Sequence, residues 1–248
     1  VATRGNWENT KTAEIVQKAK TAEDYFLLVG PPGTGKTSVA LRAMVEEFLL
    51  EKKHGETECG LMAMAYTNRA VDEICAMLNS IHAPYVRIGG EQTCAKPYQD
   101  KLVCKQFENI TNRNEAVRKL QEIPIVVGTV STLNNHLELF SLRSYHAIID
   151  EASQVLEPQI LGLLCAKDSE GKSAIRKFIM IGDHKQLPAV VLLQPEQTKV
   201  KSKLLQDIGL TDLRNSLFQR LHTLAIANHQ ENVIGLLNRQ GRMHPDIC

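Results

Sequence analysis

Long apolar runs are missing from this sequence. None approaches the ~18 consecutive residues that a bilayer-spanning helix needs, and the first residues show no charged-then-apolar leader pattern. A soluble, unexported, cytoplasmic chain with no membrane partner is expected. Excess charge is missing too. Lys and Arg number 29 against 28 Asp and Glu, a formal net charge of +1. No overall basic field advertises a polyanion, so such a partner has to rest on local residues. Paired cysteine motifs are also absent. The six cysteines are spaced irregularly, without C-x-x-C or a Cys/His pair at metal-ligand spacing. Cys75 and Cys165 fall inside apolar helical patterns, and reduced thiols are expected.

What is present begins with enough apolar content, 43% of 248 residues, to bury one large core. One domain over residues 1–248 is expected, with an insertion at about 89–123. The chain is organised around Leu27 to Thr37, LLVGPPGTGKT. Tyr25 to Val29 reads as a buried strand, Gly30, Gly33 and Gly35 permit a tight loop, and Lys36 opens a helix. Such a loop aims backbone N–H groups and a helix N-terminus at one anion. Gly30 and Gly35 flank the four residues Pro31, Pro32, Gly33 and Thr34 before Lys36 and Thr37. That is the Walker A spacing, in which the lysine reaches the β/γ-phosphates and the hydroxyl holds Mg²⁺. Gly171, Lys172 and Ser173 repeat the ending, but Ala166 replaces the first glycine and no strand precedes it, so a polar loop is expected there.

In chain order, a short helix over Thr12 to Ala19 precedes the first strand. After the phosphate loop, Val39, Ala40, Ala43, Met44 and Phe48 recur at helical spacing on a core-facing stripe. Leu61 to Ala65 is a second apolar run. A helix follows with Val71, Ile74, Cys75 and Leu78 on one stripe and Asp72 and Glu73 in its first turn. Pro84 to Ile88 reads as a third strand. Gly89 to Glu122 then loses periodicity apart from a polar helix near Asn114 to Leu120, and is either a solvated excursion or a nucleic-acid surface. Ile125 to Val127, Ala147 to Ile149 and Phe178 to Ile181 continue the strands. A Lys-bearing loop, Gln194 to Lys203, leads to a helix capped by Thr211 and carrying Leu213, Leu217 and Leu221. Short apolar runs alternating with helices imply a mostly parallel sheet with helices on both faces, and polar residues gathered along its carboxyl edge.

On that edge, Asp150 follows three apolar strand residues and suits a carboxylate that holds Mg²⁺ beside the phosphate loop. Glu151 is placed to orient or deprotonate an attacking water. Gln186 ends the loop after the next strand, where an amide can sense a γ-phosphate. Arg242 is a fixed cation that can offset charge on a transferred phosphoryl group.

The series GPPGTGKT, AYTNRAVDEI, VGTVSTL, IIDEASQ, MIGDHKQLPAVV, SLFQRL and RQGRMHP resembles the motif series of superfamily 1 helicases. It is most similar to the 5′-to-3′ subgroup that includes the nonsense-mediated-decay helicase and the replication helicase-nuclease. The resemblance runs from about Tyr25 to Pro245 and implies an α/β, RecA-like P-loop NTPase domain, the first of two motor domains. It implies ATP and Mg²⁺ as cofactors, Lys36, Glu151, Gln186 and Arg242 as catalytic groups, and Thr37 and Asp150 as metal partners. It also implies that Thr67, Asn68, Thr129, Val130 and Ser131 hold the backbone of single-stranded DNA or RNA; by their chemistry alone these residues are equally turn formers. The second motor domain is expected as a partner from the parent chain. Gly241 stands where the family places an aromatic, and the register of its adenine-reading Gln falls near Thr12 instead of Gln17, so relaxed nucleotide selectivity is expected. The expected function is a helicase motor domain. The alternatives are a P-loop ATPase of another class, or a nucleotide-gated strand-binding module without unwinding.

Overall fold

The computed structural model describes residues 2–5, 10–31, 33–183, 185–186 and 189–237. Its described strands form one seven-stranded sheet, all parallel, in the order β3-β4-β2-β5-β6-β1-β7. In chain order, helix α1 (Thr10–Thr21) leads into β1 (Tyr25–Val29), and a π-helical turn (Lys36–Leu41) runs into α2 (Arg42–Lys53). Then come β2 (Gly60–Ala65), α3 (Asn68–Ser80) and β3 (Tyr85–Arg87). The short α4 (Val103–Gln106) and α5 (Arg113–Glu122) precede β4 (Ile125–Thr129), α6 (Val130–Asn134) and β5 (Tyr145–Asp150). Helix α7 (Glu157–Leu164), β6 (Ile175–Gly182), α8 (Pro195–Thr198), α9 (Lys203–Asp207), α10 (Leu217–Ala227) and β7 (Ile234–Leu236) complete the order.

The central strands read as continuous apolar runs because both faces of the sheet are covered. Phe26 and Leu28 of β1, with Leu61, Ala63 and Ala65 of β2, pack on one side against Ile15, Met44, Val71 and Ile74. Leu27, Val29, Met62 and Met64 point the other way, against Leu133, Phe140, Ile160 and Phe218. This alternation along each strand makes two cores from one sheet.

Several expectations are corrected. Val39 is 44% exposed, not core-facing. Gly35 O accepts from both Val39 N (2.9 Å) and Ala40 N (3.1 Å), and the wider i+5 turn swings Val39 off the stripe that Ala40, Ala43, Met44 and Phe48 keep. Asp72 and Glu73 lie beyond the first turn of α3, because Thr67 caps the helix earlier by accepting from Ala70 N (3.1 Å). The last described helix is capped by Ser216, whose Oγ accepts from Gln219 N, and not by Thr211. Thr211 O instead accepts from Val200 N, and Leu213 N donates to Thr198 O, so residues 211–213 are held extended beside 198–200. Cys165 is exposed just past α7. The five cysteines among the described residues are free.

Residues 89–123 are docked on the sheet edge and are not a solvated excursion. Leu102 is fully buried and bridges to Arg87 of β3, and Tyr98, Val103, Phe107 and Leu120 pack on the two cores. The buried Arg87 ties the segment down, pairing with Asp72 of α3 and donating to Thr93 O (3.0 Å). Gly171 sits in a turn between Lys167 and Ser173, which pair as an antiparallel bridge, so its Gly-Lys-Ser is a surface loop.

Candidate nucleotide and strand site

Because every described strand is parallel, the loops after β1, β5 and β6 emerge side by side on the carboxyl edge. They line an open cleft of about 1020 Å³ together with the first turn of α1 and one face of α3. The loop after β1 is held to its neighbour, since Gly30 N donates to Gly182 O (3.0 Å). A Cβ on Gly30 would stand 2.8 Å from Thr34 Oγ1, and Gly35 has φ +79°, a conformation that disfavours side chains. Thr34 Oγ1 closes the loop by donating to Pro31 O (2.8 Å). The Lys36 ammonium is drawn over this turn by Gly30 O at 2.7 Å. Pro32 lies outside the described residues.

Thr37, in the π-helical turn, donates from Oγ1 to Asp150 Oδ2 at 2.6 Å. Asp150 is only 3% exposed. Burial raises its pKa, opposed by the Thr37 hydroxyl, the Glu151 N–H on Oδ1 (2.9 Å) and the charge of Lys36. A buried carboxylate and a hydroxyl side by side beside a cationic phosphate loop are the oxygen donor set that a hard cation such as Mg²⁺ takes, so these residues fit it. Glu151 adopts a left-handed conformation, φ 52° and ψ 34°, an uncommon state for a residue with a side chain and one found where a site demands it. Its pKa is raised, first by burial and then by Asp150 and Glu73. Gln186 lines the same cleft, and its N–H donates to Asp183 O (3.2 Å). Thus Gly30 to Thr37, Asp150, Glu151 and Gln186 converge, apart from the undescribed Pro32. Arg242 and Gly241 lie outside the described residues.

The expected strand contacts form a second group on the same edge. Thr67 and Asn68 follow β2, while Thr129 ends β4, its hydrogen-bonded neighbour, and Val130 and Ser131 open α6 directly after it. Thr67, Asn68 and Ser131 are exposed. Thr129 is buried and caps α6 by accepting from Thr132 N (3.0 Å), and the Val130 side chain is in the core, so that loop offers Ser131 and backbone groups. Sequence reasoning missed Arg69, whose side chain is 91% exposed beside Asn68, and the exposed ring of Tyr66. It also missed Glu73, which lines the cleft from α3. The available signal was position, since all three stand within eight residues of the end of β2.

The AAA domain family matches residues 12–192. Among curated proteins, the chain is 30% identical over 235 residues to the DNA replication ATP-dependent helicase/nuclease JHS1 of Arabidopsis thaliana, covering 95% of this chain and 15% of that protein. It is 30% identical over 184 residues to the DNA replication ATP-dependent helicase/nuclease DNA2 of Saccharomyces cerevisiae, covering 74% and 11%, and 27% identical over 221 residues to the human DNA2, covering 86% and 18%. The chain therefore spans less than a fifth of the length of each of these relatives. Among solved structures, bacteriophage T4 UvsW aligns with a TM-score of 0.51 at 15% identity, over 85% of this chain and 35% of that one, a likeness of fold alone. With a phosphate loop, a buried carboxylate on its hydroxyl and this sheet order in place, the chain belongs to the AAA domain family, as a RecA-like domain of the superfamily 1 helicase type related to the replication helicase/nucleases.

Proposed function

We propose that the chain binds and hydrolyses ATP as the motor domain of a helicase or translocase that couples hydrolysis to movement on single-stranded nucleic acid. The observation that carries this is the meeting of Lys36, Thr37, Asp150, Glu151 and Gln186 in one cleft, with Asn68 and Arg69 after β2, the neighbour of β5 on the same edge. Lys36 and the loop amides hold the β/γ-phosphates. Thr37 and Asp150 hold Mg²⁺, which when bound neutralises phosphate charge. Glu151, a carboxylate whose basicity is raised by its surroundings, accepts a proton from the water that attacks the γ-phosphorus. Gln186 reports the γ-phosphate by hydrogen bond, and Arg242 offsets its charge. Asn68, Thr67, Ser131 and the amides near Thr129 and Val130 hold strand phosphates and sugars without reading bases.

The named activity of the relatives favours DNA as the strand. A second motor domain, borne by a longer parent chain, is the proposed partner that closes over the cleft. The test is ATP turnover by the parent protein with and without single-stranded DNA and RNA. Stimulation of turnover by either strand, abolished by Glu151→Gln, is expected. Turnover that ignores both strands would leave a P-loop ATPase of another kind.

A further inference from the structure

At the opposite edge of the sheet, the starts of β5 and β6 and the facing turns of α1 and α2 line a second open pocket of about 390 Å³. Its wall carries an ion cluster that the proposed chemistry does not use. Lys20, in the last turn of α1, has a side chain only 7% exposed and lies 3.0 Å from both Glu47 and Glu51 of α2 and 3.6 Å from Glu56. Glu47 also accepts the backbone N–H groups of Arg4 (2.6 Å) and Gly5 (2.8 Å). From β6, Lys177 donates to Ala19 O (3.2 Å) and Lys20 O (2.8 Å). Thr21 Oγ1 donates to Gln17 O (3.0 Å) and Lys18 O (3.1 Å). Of the carbonyls that the end of α1 leaves without ladder partners, those of Ala19 and Lys20 are thus supplied by a side chain from the sheet.

The carboxyl end of α1 is therefore tied to the sheet and to α2 at once. Twelve residues make a helix about 18 Å long, and its other end puts Lys11 and Thr12 into the wall of the nucleotide cleft. The helix also packs on the π-helical turn and on β1 and β7. A short, regular helix moves as a body, so the tie at one end sets the position of the other. We infer that Lys20 and Lys177 are positioning residues for nucleotide recognition: by anchoring α1 they set where Lys11 and Thr12 meet the part of the nucleotide beyond its phosphates. This rests on the nucleotide reading of the cleft.

The test compares dissociation constants of the chain for Mg²⁺-ATP and for Mg²⁺-tripolyphosphate, which engages the phosphate loop alone. Lys177→Met keeps the aliphatic bulk and removes the donor. It is expected to weaken ATP about five-fold while tripolyphosphate stays within a factor of two. Lys20→Met should act alike and Lys20→Arg should restore ATP affinity; if Lys20→Met does not fold, Lys177→Met carries the comparison. A purely structural role would shift both ligands together, and that result, or no shift in either, overturns the inference while leaving the nucleotide site standing. A parent chain that binds neither ligand removes the site and the inference with it.

Discussion

Thr37 and Asp150 are 113 residues apart in sequence and share a 2.6 Å hydrogen bond. One follows the loop after β1 and the other ends β5, two strands that do not touch but are both paired to β6. The parallel sheet brings their carboxyl ends to one edge, and that convergence turns a phosphate loop and a buried carboxylate into one site.

Lys36→Ala is expected to abolish detectable nucleotide binding, whereas Glu151→Gln keeps binding and lowers turnover by about 10² to 10⁴. The first removes the cation that reaches the phosphates, and the second replaces a base with a neutral amide of the same shape. Calorimetric titration with ATP and steady-state turnover in the parent protein check both. A Glu151→Gln variant turning over at the parent rate would show that the base is elsewhere.

Arg69 is a nearly fully exposed cation whose contribution to a strand should be electrostatic. Arg69→Ala is expected to weaken single-stranded DNA of every sequence alike and to lower the slope of log K against log salt by about 0.7. Fluorescence anisotropy at several salt concentrations measures the slope. An unchanged slope would take Arg69 off the strand path.

The Glu157 carboxylate, 2% exposed, is held by Arg220 through Nε at 2.7 Å and Nη2 at 2.5 Å. Arg220→Met strands that charge in the interior and should destabilise by about 3 kcal/mol, lowering Tm by roughly 10 °C. Adding Glu157→Gln to it should recover part of the loss, because the buried charge goes too. Scanning calorimetry of the two variants decides this, and a double variant no better than the single would contradict it.

Burial, with Lys177 beside it, pushes the His146 pKa down to about 4, against about 6.5 in an unfolded chain. The unfolded state thus binds the extra proton between those values, so stability rises with pH across that window and is lost as pH falls through it. From pH 7 to pH 5 the loss is about 2 kcal/mol. Urea unfolding at both pH values should show His146→Phe with a shallower decline than the parent, and parallel declines would assign the pH dependence to other groups.

Phosphate loop, strand and carboxylate were legible in sequence because each is a local pattern: glycines at fixed offsets, a run of apolar residues, an acidic pair directly after it. The covered parallel sheet was legible for the same reason, since only strands buried on both faces read as unbroken runs such as Leu61 to Ala65. Less was visible where a long-range partner overrides local preference. Lys177 interrupts the apolar pattern of β6, and Ile234 to Leu236 is too short to read as a strand until β1 pairs with it. The docking of residues 89–123 depends on Arg87, which in sequence is only a charge at the end of a strand.

Sequence alone determined the central strands, the helices beside the phosphate loop, the loop itself and the identity of the chemical groups, because helix and strand periods and loop glycines are properties of neighbours along the chain. Tertiary structure decided what those groups face. It brought Thr37 onto Asp150, turned Glu73 toward the cleft, swung Val39 out of the core through a π-helical turn, and tied α1 to β6 through Lys177. Each of these depends on burial and on distances between residues far apart in the chain, which no local pattern encodes.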